Sequence, residues 1–218
     1  MAIAMLLLSG CLNGATLENP AHPEHPTGVQ VNPKTFVYEC GDTFSFVARI
    51  ESETAWLFLP QTTLSLPRVV SASGEKYSDG ITTFWTKADA ALLEYNDTSY
   101  RNCMNNRTKA IWEHAKLNGV DFRAIGNEPG WYLEIRNGDT ILFVGDYGNS
   151  RYEFAAPEPE TNQQERRTIY RMKANGKSLT VIIEGRQCRD SMSGESFGAT
   201  VSVTLDQKKY QGCGRALH

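Results

Sequence analysis

The sequence of 218 residues predicts an all-β protein with two small antiparallel β-barrel or barrel-like domains, joined by a short helix and each holding one disulfide. Three observations predict this class. Short runs alternate apolar and polar residues in both halves, turn-forming residues separate the runs, and each half contains two cysteines. Alternation with period two buries one face of a strand, and many short strands are typical of small barrels and sandwiches.

Composition and charge narrow the class of protein. Hydrophobic residues at 40% and charged residues at 22% describe a folded, globular chain rather than a disordered one. The formal net charge is −3, whereas a general nucleic-acid binder is usually markedly basic, so we expect no nucleic-acid partner. No apolar run approaches the roughly 18–20 residues that a membrane-spanning helix needs.

Residues 1–10 resemble a lipoprotein signal segment. The run Leu8-Ser-Gly-Cys11 is similar to a bacterial lipobox, in which a signal peptidase cuts before the cysteine and the thiol then carries lipid. We therefore expect a lipid anchor at Cys11. The residue after it is Leu12 rather than Asp, which resembles the pattern of lipoproteins that are sorted to the outer membrane. We expect the protein to lie in the bacterial envelope, at the outer membrane, facing the periplasm. An ordinary signal peptide with a chance cysteine is the alternative. The segment is short and lacks Lys or Arg, which leaves open whether Met1 is the true start.

The rest of the chain divides by composition. Residues 11–33 hold four prolines and are predicted to form an extended tether. Residues 34–104 alternate like strands and are predicted to form the first β-barrel. The strongest runs are Phe36–Cys40, Thr43–Arg49, Ala55–Leu59, Thr82–Thr86 and Ala90–Glu94.

Residues 105–119 carry a rough helical stripe, which Asn118-Gly119 ends. The stripe consists of Ala110, Ile111, His114, Ala115 and Leu117. Residues 120–218 return to a β pattern and are predicted to form the second domain. Asn137-Gly138 and Asn175-Gly176 are hairpin signals, and residues 179–184 and 200–205 read as half-buried strands.

Four cysteines remain after Cys11, an even number that agrees with export to a compartment where disulfides persist. Three connectivities exist for four cysteines. The division into two domains favours Cys40–Cys103 and Cys188–Cys213. Because no pair has CxxC spacing, we expect neither a zinc site nor a thioredoxin-like motif.

Two short motifs imitate hydrolase signatures. Ser73–Lys76 matches S-x-x-K, but the S-D-N and K-T-G elements are missing and Gly74 indicates a turn. Gly194–Gly198 matches G-x-S-x-G, but a strand rather than a helix is predicted after it, and the one downstream histidine is His218. We therefore expect a binding protein that is not an enzyme and that holds no cofactor or metal.

A set of motifs in the first half resembles a known family. Four motifs occur along the chain: Tyr38-Glu-Cys40, Ser73-Gly-Glu-Lys-Tyr77, Phe84-Trp-Thr-Lys-Ala-Asp89 and the closing Cys103. Their order and spacing resemble those of the membrane-bound lysozyme inhibitor family (MliC-like), which acts against c-type lysozyme. The resemblance covers roughly residues 34–104. Ala88 stands where the family usually has glycine.

The resemblance implies an eight-stranded antiparallel barrel whose ends are tied by Cys40–Cys103. It implies that c-type lysozyme is the partner and that Ser73 and Lys87 enter the enzyme's cleft toward its catalytic carboxylates. Lys76 and Tyr77 are expected to shape the same loop. The alternative is that Ser73-Gly74 is only a tight turn and Lys87 a solvated strand end.

The second half has its own likeness and leaves a rival function open. Three of its motifs resemble an uncharacterised lipoprotein domain of bacterial envelope proteins: residues 122–131, the run Cys188–Gly194 and Gly212-Cys-Gly214. The rival to an inhibitor is a lipocalin-like envelope protein that binds a small ligand through this C-terminal β domain. Residues 12–103 carry 6 basic and 11 acidic side chains, a net charge of −5, whereas residues 104–218 carry 16 and 14, a net charge of +2. The acidic first domain favours encounter with a basic partner.

Overall fold

A computed structural model describes residues 32–41 and 43–218. These residues are nearly all β, with a closed barrel, a half-barrel second sheet, one short α-helix between them and two disulfides, which confirms the predicted fold class. The signal segment, the lipidation site Cys11 and the tether up to Val31 lie outside the described residues.

The first eight strands pair antiparallel in sequence order, and β1 pairs with β8 to close the barrel. The strands are β1 (Lys34–Cys40), β2 (Phe44–Glu51), β3 (Thr54–Leu59), β4 (Thr62–Val69), β5 (Glu75–Ser78), β6 (Thr83–Lys87), β7 (Ala90–Tyr95) and β8 (Thr98–Asn105). The disulfide Cys40–Cys103 joins β1 to β8 and so ties the first strand to the last, as predicted.

The barrel interior is packed with the inward residues of the alternating runs. In β2, for example, Phe46, Ala48 and Ile50 are buried and the residues between them are not. Four aromatic rings lie at the centre of this core: Tyr38, Phe46, Tyr77 and Phe84. The period-two pattern therefore predicted the core face correctly.

Helix α1 (Arg107–Leu117) follows the barrel. Asn106 caps its first turn by accepting from the Lys109 backbone N–H, and Gly119 follows its last turn at φ +76°, which glycine tolerates. The predicted stripe was partly wrong: Ile111 is 53% exposed, whereas Trp112, absent from the stripe, is buried. Trp112 is covered by tertiary contacts, since the guanidinium groups of Arg123 and Arg215 lie over its ring.

The second sheet has nine strands in the order β12-β11-β10-β9-β19-β18-β15-β14-β13, and a two-stranded ribbon, β16-β17, stands beside it. The strands are β9 (Phe122–Asn127), β10 (Gly130–Ile135), β11 (Thr140–Gly145), β12 (Ser150–Ala155), β13 (Glu160–Asn162), β14 (Arg167–Ala174), β15 (Lys177–Glu184), β16 (Cys188–Arg189), β17 (Ser196–Phe197), β18 (Ala199–Leu205) and β19 (Lys208–Ala216).

The predicted strands and turns of this half are confirmed. Asn175 and Gly176 both have positive φ between β14 and β15, which is the geometry of a tight hairpin turn. Asn137-Gly138 connects β10 to β11. Cys188–Cys213 joins the ribbon to β19, as predicted. No helix in the described part of the chain has the length and apolar character needed to cross a bilayer.

Candidate functional site

The loop between β4 and β5 presents Ser73 to solvent at one end of the barrel. Its first residue, Val70, is fully exposed, and the Ser73 side chain is exposed as well. Two donors hold the Ser73 carbonyl oxygen: the Ser71 hydroxyl at 2.7 Å and the Trp85 indole N–H at 2.8 Å. The loop is therefore anchored to β6 while the Ser73 hydroxyl remains available.

Gly74 brings this loop against β6. Its φ is +70°, and a Cβ built there would lie 2.5 Å from the Thr86 carbonyl oxygen and 3.2 Å from the Lys87 Cβ. Only glycine combines this backbone conformation with so close an approach. As a result, the loop that carries Ser73 lies beside Lys87, and we call these two residues the Ser73–Lys87 rim.

Lys87 is the last residue of β6, is exposed and forms no ion pair within the described residues. The nearest acid along the chain, Asp89, accepts from Arg107 and Asn105 instead. Hydrogen bonds from Arg107 and then Asn105 hold the pKa of Asp89 below its usual value. Because Asp89 is engaged by these groups, the Lys87 ammonium is left without a carboxylate from its own turn.

Lys76 and Tyr77 follow the loop in β5 and point to opposite faces of the strand. Lys76 is half-buried on the outer face, opposite Trp85 of β6. Tyr77 is fully buried, with its ring stacked on Phe84 at a centroid distance of 6.0 Å. Burial chiefly raises the pKa of Tyr77 to about 12, so the phenol stays neutral. The Tyr77 side chain therefore faces the interior of the barrel, from which it can shape the loop but does not reach the outer surface.

Two further motif residues support the rim from within. The Tyr38 hydroxyl and the Thr86 hydroxyl are 2.6 Å apart in the core, directly below the Lys87 turn. Burial raises the pKa of Tyr38 to about 12, which keeps this hydrogen bond between neutral groups. The sequence reasoning assigned no role to Trp85, although its place in Phe84-Trp-Thr-Lys87 was a usable signal.

The rim offers a hydroxyl and a positive charge but no catalytic constellation. Within the described residues, no base is hydrogen-bonded to the Ser73 hydroxyl, and Lys76 lies on a strand rather than one helical turn away. The S-x-x-K geometry of a serine hydrolase is thus absent at this place. Nor do three or more His, Cys, Asp or Glu side chains of the described chain come together as metal ligands.

The motifs of the second half are used inside the fold. Trp131 is buried between Gly126 and Gly212, where a Cβ would lie 2.1 Å and 2.7 Å from its ring atoms. Asp190 is buried and accepts from the Ser193 backbone N–H at 2.7 Å and from the Asn127 amide at 2.6 Å. These hydrogen bonds join the Cys188–Gly194 loop to the turn after β9. The core of this sheet is built from buried side chains, among them Trp131, Phe143 and Tyr210.

Comparison with known proteins points to the same stretch of chain. The family model described as membrane-bound lysozyme-inhibitor of c-type lysozyme (MliC) matches residues 38–102. A membrane-bound lysozyme inhibitor of C-type lysozyme from Yersinia enterocolitica is 33% identical over 95 residues, which cover 43% of this chain and 68% of that protein. No solved structure matches the chain. The family match includes both residues of the Ser73–Lys87 rim.

Proposed function

The chain belongs to the family of membrane-bound lysozyme inhibitors of c-type lysozyme, and on this premise we propose that it blocks a c-type lysozyme by inserting the Ser73–Lys87 rim into the active-site cleft of the enzyme. One observation carries the proposal. An exposed hydroxyl on an anchored loop lies beside an exposed ammonium at the end of β6, and Lys87 has no carboxylate partner within the described residues.

The chemistry of the target explains why these two groups suit it. A lysozyme cleaves its substrate with two carboxyl groups that flank the glycosidic bond. An ammonium placed there forms a charge-assisted hydrogen bond with a carboxylate, and a hydroxyl donates to the same region. The rim has no glycosidic bond to cleave, so a lysozyme that holds it is occupied without turnover.

Anchoring of the loop favours tight binding. The Ser73 carbonyl is held by Trp85 and Ser71, and Gly74 rests on β6, so little loop freedom remains to be lost on association. Val70, fully exposed at the base of the loop, supplies an apolar flank that contact with the enzyme would bury. Tyr77 and Thr86 support this arrangement from inside the barrel.

Long-range charge acts in a different way from the local charge of the rim. Residues 12–103 have a net charge of −5, which attracts a basic lysozyme at a distance. The rim itself is locally positive and meets carboxylates only at contact. We expect the association rate to fall as salt rises, because ions screen the long-range attraction over about 8–10 Å at 0.1–0.15 M.

We further propose that the inhibitor is lipid-anchored through Cys11 and faces the periplasm from the outer membrane. The lipobox-like run before Cys11 and the proline-rich stretch after it support this, since a tether would let the barrel reach a soluble enzyme. Cys11→Ala should move the protein out of the membrane fraction or leave its signal uncleaved. Unchanged membrane fractionation would refute the lipid anchor and leave the inhibitor proposal standing.

The test of inhibition uses hen egg-white lysozyme and a turbidity assay on bacterial cell walls. Lys87→Ala should raise the inhibition constant at least tenfold, since truncating one partner of a buried charge-assisted pair costs about 2–5 kcal/mol and about 1.4 kcal/mol is tenfold. Ser73→Ala should have a smaller effect, because a neutral hydrogen bond contributes about 0.5–1.5 kcal/mol. The unfolding midpoint of both variants should match that of the parent.

Matched controls separate the rim from general charge and polarity. Lys173→Ala removes another exposed lysine, from β14 of the second sheet, and Ser45→Ala removes an exposed serine at the opposite end of the barrel. Neither control should change inhibition. If the folded double variant Ser73→Ala/Lys87→Ala inhibits as well as the parent, the inhibitory surface lies elsewhere and the proposed insertion is wrong.

A further inference from the structure

A cleft of about 680 Å³ opens beside α1, between the start of the barrel and the outer face of the second sheet. Its lining includes four arginines, Arg107, Arg123, Arg136 and Arg151, and one acidic side chain, Glu134. The volume lies within the range of small-molecule sites, about 300–1,000 Å³. Every residue that lines this cleft lies outside residues 38–102, the stretch that matches the inhibitor family.

The four arginines differ in how their charge is compensated. Arg107 is paired with Asp89, and Arg123 is paired with Glu134. Arg136 has no acidic partner within the described residues, and its Nε donates to the Asn118 carbonyl oxygen at 3.2 Å. Arg151 meets Glu153 only at 3.6 Å, with its side chain 60% exposed. Two guanidinium groups therefore retain free donors at this cleft.

One N–H group at the floor of the cleft, in the Arg123 side chain, lacks a hydrogen-bond acceptor within the described residues. The Arg123 side chain is 8% exposed, and its guanidinium carbon lies 4.6 Å from the centre of the Tyr132 ring. Its Nε is buried and has no hydrogen-bond partner within the described residues. A buried donor without a partner carries a desolvation penalty that an additional acceptor would relieve.

His114 gives one wall of the cleft a polar but uncharged group. His114 of α1 contacts the Thr35 hydroxyl through Nδ1 at 3.1 Å and the Asn118 amide through Nε2 at 2.8 Å. An amide that donates to Nε2 leaves Nδ1 to carry the proton, which is the neutral form of the ring. Burial lowers the pKa of His114, in agreement with this form. The positive character of the cleft thus comes from its arginines.

We propose that this cleft binds a small organic anion whose carboxylate or phosphate group is held by Arg136 and Arg151, with its apolar part against Ile111 and Leu142. Guanidinium groups match both anions because their planar N–H groups donate in pairs to two oxygens. Leu142 is buried at the floor and Ile111 is 53% exposed on the helix, so the apolar part of such a ligand finds an apolar surface. The two arginines complement its anionic part. The ligand would touch both α1 and the second sheet.

Isothermal titration calorimetry of the full chain tests the proposal with two probes, inorganic pyrophosphate and citrate, at matched ionic strength in sodium chloride. Saturable binding of at least one probe is expected, since each presents the oxygens that Arg136 and Arg151 would hold. Binding of pyrophosphate alone would assign a phosphate ligand, and binding of citrate alone a carboxylate ligand. If neither probe binds beyond the chloride control, the cleft is not an anion site.

Variants link the binding to the two arginines. Arg136→Gln and Arg151→Gln should each weaken binding of the responding probe at least tenfold. Arg186→Gln is the matched control, because Arg186, like Arg151, is an exposed arginine paired with a glutamate two residues away. Arg136→Gln also removes the contact with Asn118, so Arg151→Gln provides the variant that leaves the helix end intact. Equal weakening by Arg186→Gln, or none by Arg151→Gln, would overturn the proposal.

Discussion

In the barrel, the motif residues Ser73 and Lys87 are exposed, and Lys87 has no carboxylate partner within the described residues. In the second sheet, by contrast, the motif residues Trp131 and Asp190 are buried, and Asp190 accepts hydrogen bonds from its neighbours. Both halves carry distinctive short motifs. In the first half, Trp85 and Gly74 fix the loop so that the Ser73 hydroxyl stays exposed. In the second, Gly126 and Gly212 make room for an inward ring. A distinctive short motif can therefore either keep polar groups exposed, as at Ser73 and Lys87, or pack a core, as at Trp131.

The largest effect should come from the buried motif of the second sheet. Trp131→Ala should lower the free energy of unfolding by about 3–5 kcal/mol, because a large ring leaves a cavity between two glycines that cannot fill it. Urea unfolding followed by circular dichroism measures this change. Trp131→Phe is the control and should cost clearly less, since the indole N–H has no hydrogen-bond partner in residues 32–41 and 43–218. Equal stability of Trp131→Ala and the parent would show that this motif is not structural.

Asp190 should give the second sheet a pH-dependent stability. Burial raises the pKa of Asp190, but hydrogen bonds from Ser193, Asn127 and Met192 outweigh it and hold this pKa below its usual value. With a folded pKa below the unfolded value of about 3.9, the ionised group stabilises the fold at pH values above about 4. That contribution is lost as the pH falls through the lower, folded pKa.

Asp190→Asn should therefore cost about 1.5–3 kcal/mol at pH 7, the range for hydrogen bonds to a charged group. The difference from the parent should shrink below about pH 4 as the parent is protonated. Unfolding curves of both proteins at pH 7 and pH 3 measure it. A difference that stays constant over this range would mean that the charge of Asp190 does not stabilise the loop.

On the barrel side, Trp85→Phe should weaken inhibition without unfolding the protein. It removes the indole N–H that holds the Ser73 carbonyl but keeps an aromatic ring on β6. A neutral hydrogen bond contributes about 0.5–1.5 kcal/mol, which corresponds to roughly a twofold to tenfold rise in the inhibition constant. Trp56→Phe, at a partly exposed position on β3, is the control and should change nothing. Full activity of Trp85→Phe would show that the loop needs no anchor.

The smallest effect should be a gain in stability. Ala88 follows Lys87 at φ +52°, a left-handed conformation that costs an L-residue about 1–2 kcal/mol. Ala88→Gly removes this strain but adds freedom to the unfolded chain, for a net gain of about 0.5–1 kcal/mol in unfolding free energy. Ala90→Gly, in the regular strand β7, should lose stability instead. A lower unfolding free energy for Ala88→Gly than for the parent would show that the backbone of Ala88 is not strained.

The rim and the turn after it show which features of the site could be predicted from the sequence. The resemblance to the inhibitor family grouped Ser73 with Lys87, and the close approach of Gly74 to Lys87 brings the loop that carries Ser73 beside this lysine. It also grouped Tyr77 with them, although alternation along β5 turns that side chain into the core. The departure at Ala88 was visible in the sequence, but the positive φ that makes glycine suitable there is a property of the folded turn.

The local features of this protein could be predicted from its sequence: the alternating strands, the glycine and asparagine turns and the helix ends. These depend on backbone preferences and on neighbours within a few residues, which a single chain displays directly. Two other features could be seen only in the folded protein: Arg123 and Arg215 cover Trp112, and Arg136 and Arg151 line one cleft with α1. Those contacts join residues far apart in sequence, and their geometry follows from how the strands and the helix pack rather than from any local pattern.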